Sequence, residues 1–333
     1  MFEPTLNYVN CPDAQGGHRM AYWQWGKPQA SHVVVCVHGL TRQGRDFDTL
    51  AQALCVRAKE PLRVVCPDVV GRGQSDWLKD PLNYQIPVYG ADMLALLAQL
   101  RPSTLDWVGT SMGGLIGVVL AGQAHIAAAP GRPKPVAPSV PDSREGTAPT
   151  GGSEAHEVAS VGVNIHRLVL NDVGPVMQWQ ALQRIGEYLG NTGEFASLQA
   201  AADALWATSS TFGPHTPAQW LALSRPMVKP MANKPGCLTL HYDPALALPF
   251  QGITPEAVLQ GEAALWQLYD NIRAKTLLLR GAQSDLLSSE TAQAMTQRGP
   301  RAQLLQFEGV GHAPTLVAEQ QVQAVASFLL DGS

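Results

Sequence analysis

Residues 104–122 read TLDWVGTSMGGLIGVVLAG, and the fold is decided there. Thr104–Val108 is a short apolar run of strand length, and Met112–Gly122 has the length and apolar spacing of a helix. Only Gly109, Thr110 and Ser111 lie between them, so the chain must pass from strand to helix in one sharp turn. Glycines on either side of Ser111 permit such a turn where a Cβ would obstruct it. The turn lifts the Ser111 hydroxyl above the sheet edge, and the helix N-terminus behind it favours developing negative charge. A bare G-x-S-x-G is common by chance, and its plain reading is a serine that caps the following helix. Set between a strand and a helix, it points instead to a nucleophilic serine.

Working outward, the runs His32–Val37, Leu62–Cys66, Thr104–Val108, Arg167–Asn171, Lys275–Arg280 and Ala302–Phe307 read as strands. Most are near-continuously apolar, as central parallel strands buried on both faces are. Between them Asp46–Ala58, Tyr89–Leu100, Met112–Gly122, Ser289–Arg298 and Thr315–Leu330 have helical length and spacing. Strand and helix alternate, which predicts an α/β fold with a mostly parallel sheet flanked by helices. Thr5–Asn10 and His18–Trp25 flank Gly16-Gly17 and predict an antiparallel hairpin at a sheet edge.

Two segments break the alternation. Residues 123–163 carry Pro130, Pro133, Pro135, Pro138, Pro141 and Pro149 and no aromatic residue. Such a composition buries too little apolar surface to offset chain ordering, so a disordered surface insertion is expected. Residues 175–270 show no convincing strand but hold helix starts at Thr216-Pro217 and Thr254-Pro255. They are also rich in aromatics, which suit the core of an inserted α-helical cap, a minority of them lining a pocket. The expected layout is therefore a core domain over 1–174, a helical cap over 175–270 and the rest of the core over 271–333.

Of the 333 residues, 45% are hydrophobic and 15% charged, so a substantial core can be buried. A formal net charge of −4 argues against a nucleic-acid partner, which demands a basic face. No stretch approaches the roughly 18 unbroken apolar residues of a membrane span. The N-terminus lacks the basic start and apolar run of a signal peptide. Cys11, Cys36, Cys55, Cys66 and Cys237 form no C-x-x-C pair and no metal spacing. Reduced cysteines in a cytoplasmic protein without metal or cofactor are the expectation.

With Gly109–Gly114 in place, the chain resembles the α/β-hydrolase family, in its serine-hydrolase branch with a helical cap. His38-Gly39-Leu40 follows the strand HVVVCV, and Asp68–Ser75 matches a D-x-x-G-x-G-x-S turn after the next strand. Asp285 follows KTLLLRGAQS, and His312 follows Gly309-Val310-Gly311. The resemblance implies a Ser111 nucleophile, a His312 general base and a carboxylate that orients the histidine. Asp285 is the expected acid, because it follows a strand, precedes His312 and sits in a G-x-x-S-D turn. Asp172, at the end of Arg167–Asn171, is the alternative, since some members of the fold place the acid one strand earlier. The backbone N–H groups of Leu40 and Met112 are the expected oxyanion donors. His38 precedes the nucleophile, so a structural role suits it better than that of base. Arg42, Trp179 and Trp266 are candidate substrate contacts. For Arg42, and for Arg45 beside it, a contact that merely braces the loop is the plainer reading.

The expected activity is cleavage of a carboxylic ester, lactone or thioester through an acyl-enzyme, the partner being a small ester-like molecule. Serine rather than aspartate at the turn argues against dehalogenase or epoxide-hydrolase chemistry. Hydrolysis of a carbon–carbon bond in a diketone, acyl transfer to another acceptor, and non-enzymatic ligand sensing remain alternatives, because one fold hosts many functions.

Overall fold

The computed structural model describes residues 3–127 and 163–331. Among the described residues the ten strands in chain order are β1 (Thr5–Cys11), β2 (His18–Gly26), β3 (His32–Val37), β4 (Leu62–Pro67), β5 (Thr104–Thr110), β6 (Ile165–Asn171), β7 (Val228–Pro230), β8 (Leu238–Leu240), β9 (Lys275–Gly281) and β10 (Gln303–Phe307). The first helices are α1 (Asp48–Arg57), α2 (Ile86–Leu100) and α3 (Met112–Ala127). Next come α4 (Trp179–Tyr188), α5 (Leu198–Ser209), α6 (Pro217–Ser224) and α7 (Leu248–Gln251), and last α8 (Pro255–Asp270), α9 (Ser289–Gln297) and α10 (Glu319–Leu330).

Eight strands form one sheet in the order β1-β2-β4-β3-β5-β6-β9-β10. The hairpin β1–β2 pairs antiparallel and joins β4 antiparallel, while every pairing from β4 to β10 is parallel. The side-chain period of two sorts each central strand between two cores. Val33, Val35 and Val37 of β3 pack on one face with Leu168 and Leu170 of β6 and with Met93, Leu96 and Ile116 of α2 and α3. Val34 and Cys36 face the other side, against Leu50 and Leu54 of α1 and Val322, Val325 and Leu329 of α10. Both faces are buried, which explains the unbroken apolar runs.

The hairpin is tied to the helix layer by charge. His18 on β2 holds Asp92 of α2 at 3.0 Å through Nε2 and Asp13 of the turn at 2.9 Å through Nδ1. Burial opposes a charge on this ring, but hydrogen bonds to Asp92, Cys11 and Asp13 outweigh it and lift its pKa to about 11. His18 is therefore an imidazolium clamped between two carboxylates.

The segment between β6 and β9 departs from the expected layout in two ways. It contains a strand pair after all, β7 with β8, antiparallel and only three residues each, too short to leave an alternating pattern in the sequence. It also ends earlier than residue 270. Helix α8 lies along α3, where a Cβ on Gly122 would meet the Leu268 carbonyl oxygen at 2.5 Å. Tyr269 is fully buried and donates to the Met295 carbonyl at 2.7 Å, so α8 belongs to the layer that covers the sheet. The residues that stand over the strand ends are those from α4 to α7. Of the stretch 123–163, residues 123–127 complete α3; residues 128–162, and with them the expected disordered insertion, lie outside the described residues.

Candidate active site

The candidate site residues gather at the C-terminal ends of the parallel strands, the edge where an open α/β sheet binds ligands. Ser111 occupies the turn from β5 to α3 with φ of +52°, a left-handed conformation that non-glycine residues seldom adopt. The surrounding glycines are needed for space. A Cβ on Gly109 would meet the Gly113 carbonyl at 2.3 Å, and one on Gly113 would meet the Val37 carbonyl at 2.0 Å. The helix thus starts hard against β3 and holds Ser111 at its tip.

His312, in the loop after β10, places Nε2 3.0 Å from Ser111 Oγ. Its Nδ1 lies 2.7 Å from Asp172 Oδ2. The carboxylate behind the histidine is therefore that of Asp172, and Asp285, expected there from the sequence, is not at this position. Asp285 is about half exposed and pairs with Arg184 of α4 at 2.7 Å. The difference has a local cause. Asp172 follows β6 at φ of +56°, which turns its side chain toward the next strand, and the carboxylate is fully buried. There it accepts from the Gly281 N–H at 2.9 Å and from the Ser284 hydroxyl at 2.6 Å. Ser284 thus touches the acid from the loop expected to supply it, and Asp285, one residue on, faces the opposite way. Three contacts, from Gly281, Ser284 and His312, fix the Asp172 carboxylate in place.

On the other side of Ser111 lies the loop after β3. His38 is wholly buried, and that burial, first among several causes, pushes its pKa down to about 3, so the ring is neutral. The Val69 N–H donates to Nε2 at 2.9 Å, which leaves the proton on Nδ1, where it is donated to the Gly39 carbonyl at 2.7 Å. Gly39 C=O and Leu40 N–H belong to one peptide group, so His38 sets the plane of the Leu40 N–H. Among the described residues neither the Leu40 nor the Met112 N–H has a hydrogen-bond partner. Asp68 accepts from the Gly44 and Gln74 N–H groups at 2.7 and 2.9 Å and closes the glycine turn after β4.

These groups open into a cavity of about 290 Å³ whose upper wall comes from α4 to the turn just after β8, including Tyr188, Phe195, Leu205, Phe212 and Tyr242. Of the expected substrate contacts, Arg42 lines this cavity, but its guanidinium is held by Asp46 in two bonds of 2.6 and 2.7 Å. Arg45 likewise pairs with Asp48. Trp179 and Trp266 do not line the cavity. Trp179 borders a separate shallow cleft beside α7, and Trp266 stacks under Arg298 at 4.0 Å on α8. Aromatic content marked the segment, but it could not tell which rings pack among themselves.

Several contributors escaped the sequence reading. Asn171 donates to Thr110 Oγ1 at 2.9 Å and to the Pro314 carbonyl at 2.8 Å, joining the ends of β5 and β6 to the histidine loop. That loop is also braced from above, where Gly311 donates to the Thr211 carbonyl at 2.6 Å and His215 meets Thr315 Oγ1 at 2.8 Å. The Asn-Asp pair closing β6 was the one visible signal, two polar residues ending an apolar run.

Similarity agrees with the fold. The chain is 43% identical over 326 residues, 98% of its length and 97% of the other's, to a protein of Cupriavidus necator named 3-hydroxybutyrate-oligomer hydrolase. A solved alpha/beta hydrolase from Novosphingobium aromaticivorans is 32% identical and superposes with a TM-score of 0.75, with 99% of each chain covered. A solved putative hydrolase from Rickettsia typhi is 24% identical, with a TM-score of 0.77 over 99% of this chain and 100% of that one, a likeness of fold. The model of the alpha/beta hydrolase family matches residues 34–328, and the chain belongs to that family.

Proposed function

We propose that this chain is a serine esterase that cleaves short oligoesters of hydroxy acids through an acyl-enzyme on Ser111. The observation that carries the reading is the unbroken series Asp172–His312–Ser111, with both hydrogen bonds at 3.0 Å or less, opening into a closed-over cavity. His312 Nε2 takes the Ser111 proton as Oγ attacks the ester carbonyl carbon. Asp172 keeps the other ring proton on Nδ1 and balances the imidazolium that forms. The carbonyl oxygen becomes an oxyanion that the Leu40 and Met112 N–H groups receive. One such donor is worth about 2.7–4 kcal/mol of barrier in comparable hydrolases. Collapse breaks the bond to the alcohol oxygen, which leaves with the proton from His312. Water then repeats the sequence on the acyl-enzyme and frees the acid.

The full-length likeness to a protein named 3-hydroxybutyrate-oligomer hydrolase supports the substrate class. So does the cavity, at the small end of ligand pockets and lined mainly by apolar side chains above the serine. The segment α4 to α7 acts here as the cap. The test is a panel of linear 3-hydroxybutyrate dimers and trimers, p-nitrophenyl esters of graded acyl length, a lactone and a diketone. Short esters and oligomers should be cleaved, and Ser111→Ala should lower every rate by several orders of magnitude while leaving the melting curve in place. Faster cleavage of the diketone than of any ester would move the reading to carbon–carbon bond hydrolysis. A Ser111→Ala enzyme at half the wild-type rate would sink the mechanism.

A further inference from the structure

Arg72 is a fully buried cation beside the proposed chemistry, and among the described residues it makes no ion pair with a carboxylate. Removing a guanidinium from water without a counter-charge is costly unless the fold uses its donors well. Its Nε donates to the Leu40 carbonyl at 2.8 Å, Nη1 donates to the Val70 carbonyl at 2.7 Å, and Nη2 lies 3.5 Å from Met112 Sδ. The guanidinium carbon sits 4.9 Å from the centre of the Tyr89 ring, which offsets part of the lost hydration. Nε and Nη2 share one edge of the guanidinium, and the two residues reached from that edge are the two whose N–H groups the proposed mechanism uses.

The geometry points to Arg72 as a positioning residue that holds the Leu40 and Met112 oxyanion donors in register from behind; this rests on the esterase reading above. His38 fixes the peptide before Leu40, through Gly39 O, and Arg72 fixes the peptide after it, through Leu40 O. With both flanking planes held, the Leu40 N–H cannot swing. The planar fork is what allows one side chain to span two loops, which a single ammonium cannot do. The backbone of this same turn is anchored to the covering segment, Gly73 donating to the His241 carbonyl at 3.0 Å and Asp243 donating to the Gly71 carbonyl at 2.8 Å. The positioning device is thus shared between the cap and the turn after β4.

The test is steady-state kinetics on a short p-nitrophenyl ester for Arg72→Met, Arg72→Lys and Tyr89→Leu, each with its melting temperature. Tyr89→Leu removes the ring and hydroxyl beside the guanidinium but leaves its bonds to the Leu40 and Val70 carbonyls, and so reports the cost of disturbed packing around it. Arg72→Met should lower kcat roughly 100-fold, the effect of about 1 Å of misplacement at a reacting centre, with KM little changed. Arg72→Lys should recover part of that loss, and Tyr89→Leu should melt lower but keep kcat within a few-fold of wild type. If Arg72→Met does not fold, Arg72→Lys against Tyr89→Leu carries the comparison. Equal losses of kcat in the arginine and tyrosine variants, or an unchanged kcat in both arginine variants, would overturn the inference. Loss of activity in Ser111→Ala together with an unimpaired Arg72→Met would defeat this inference and leave the esterase reading standing.

Discussion

At the scale of single residues the decisive question is which aspartate serves His312. Asp172 lies at 2.7 Å from the ring and is shut away from solvent, whereas Asp285 is spent on an exposed pair with Arg184. Asp172→Asn should therefore lower kcat by about four orders of magnitude, because an amide neither enforces the tautomer nor balances the imidazolium. Asp285→Asn removes a surface pair, a kind worth about 0–1 kcal/mol, and should keep kcat near wild type. Kinetics of the two variants at one pH decide the matter; a dead Asp285→Asn beside an active Asp172→Asn would reverse the assignment. The sequence made the meeting of Ser111 and His312 in the candidate site legible because each sits in a glycine-containing turn after a strand. The acid was not legible. Asp172 and Asp285 both follow apolar strands and both precede His312, and only the backbone conformation at residue 172 and the Ser284 hydroxyl separate them.

At the scale of elements, strands were easier to place than the limits of the segment above them. Each central strand is buried on both faces, so its apolar run shows in one dimension, as HVVVCV does for β3. Helix α8 was misplaced because its amphipathic face is the same whether it packs on a cap or on α3. What distinguishes it is the close approach at Gly122, a feature of two elements that neither displays alone. The contact is testable through two glycines with opposite expected outcomes. Gly122→Ala would press a methyl group into the Leu268 backbone and should cost about 1–3 kcal/mol. Gly261→Ala, within α8 and with nothing inside 4 Å of the new Cβ, should stabilise by about 0.5–1 kcal/mol. Urea denaturation of both variants reads the two signs, and a neutral Gly122→Ala would mean that the helices do not meet as described.

For the whole molecule, the edge hairpin is coupled to the parallel body through His18, and that coupling depends on pH. The ring's pKa is raised from its unfolded value of about 6.5 to about 11 in the fold. Its contribution is complete below about pH 6.5 and is lost as pH climbs toward 11, because the unfolded chain releases the proton first. The wild type should thus melt progressively lower between about pH 7 and 10, and His18→Gln should show a flatter decline. Parallel slopes in the two proteins would remove His18 from the account. The loop after β9 has a different consequence for the molecule's capacity to change. Its Ser284 grips the buried acid while the adjacent Asp285 reaches Arg184 at the rim. Chemistry and access are written in neighbouring letters but not in the same one. A library randomised at Asp285 and Arg184 should therefore explore new substrates with the reaction itself intact, whereas one that includes Ser284 should yield mostly inactive clones.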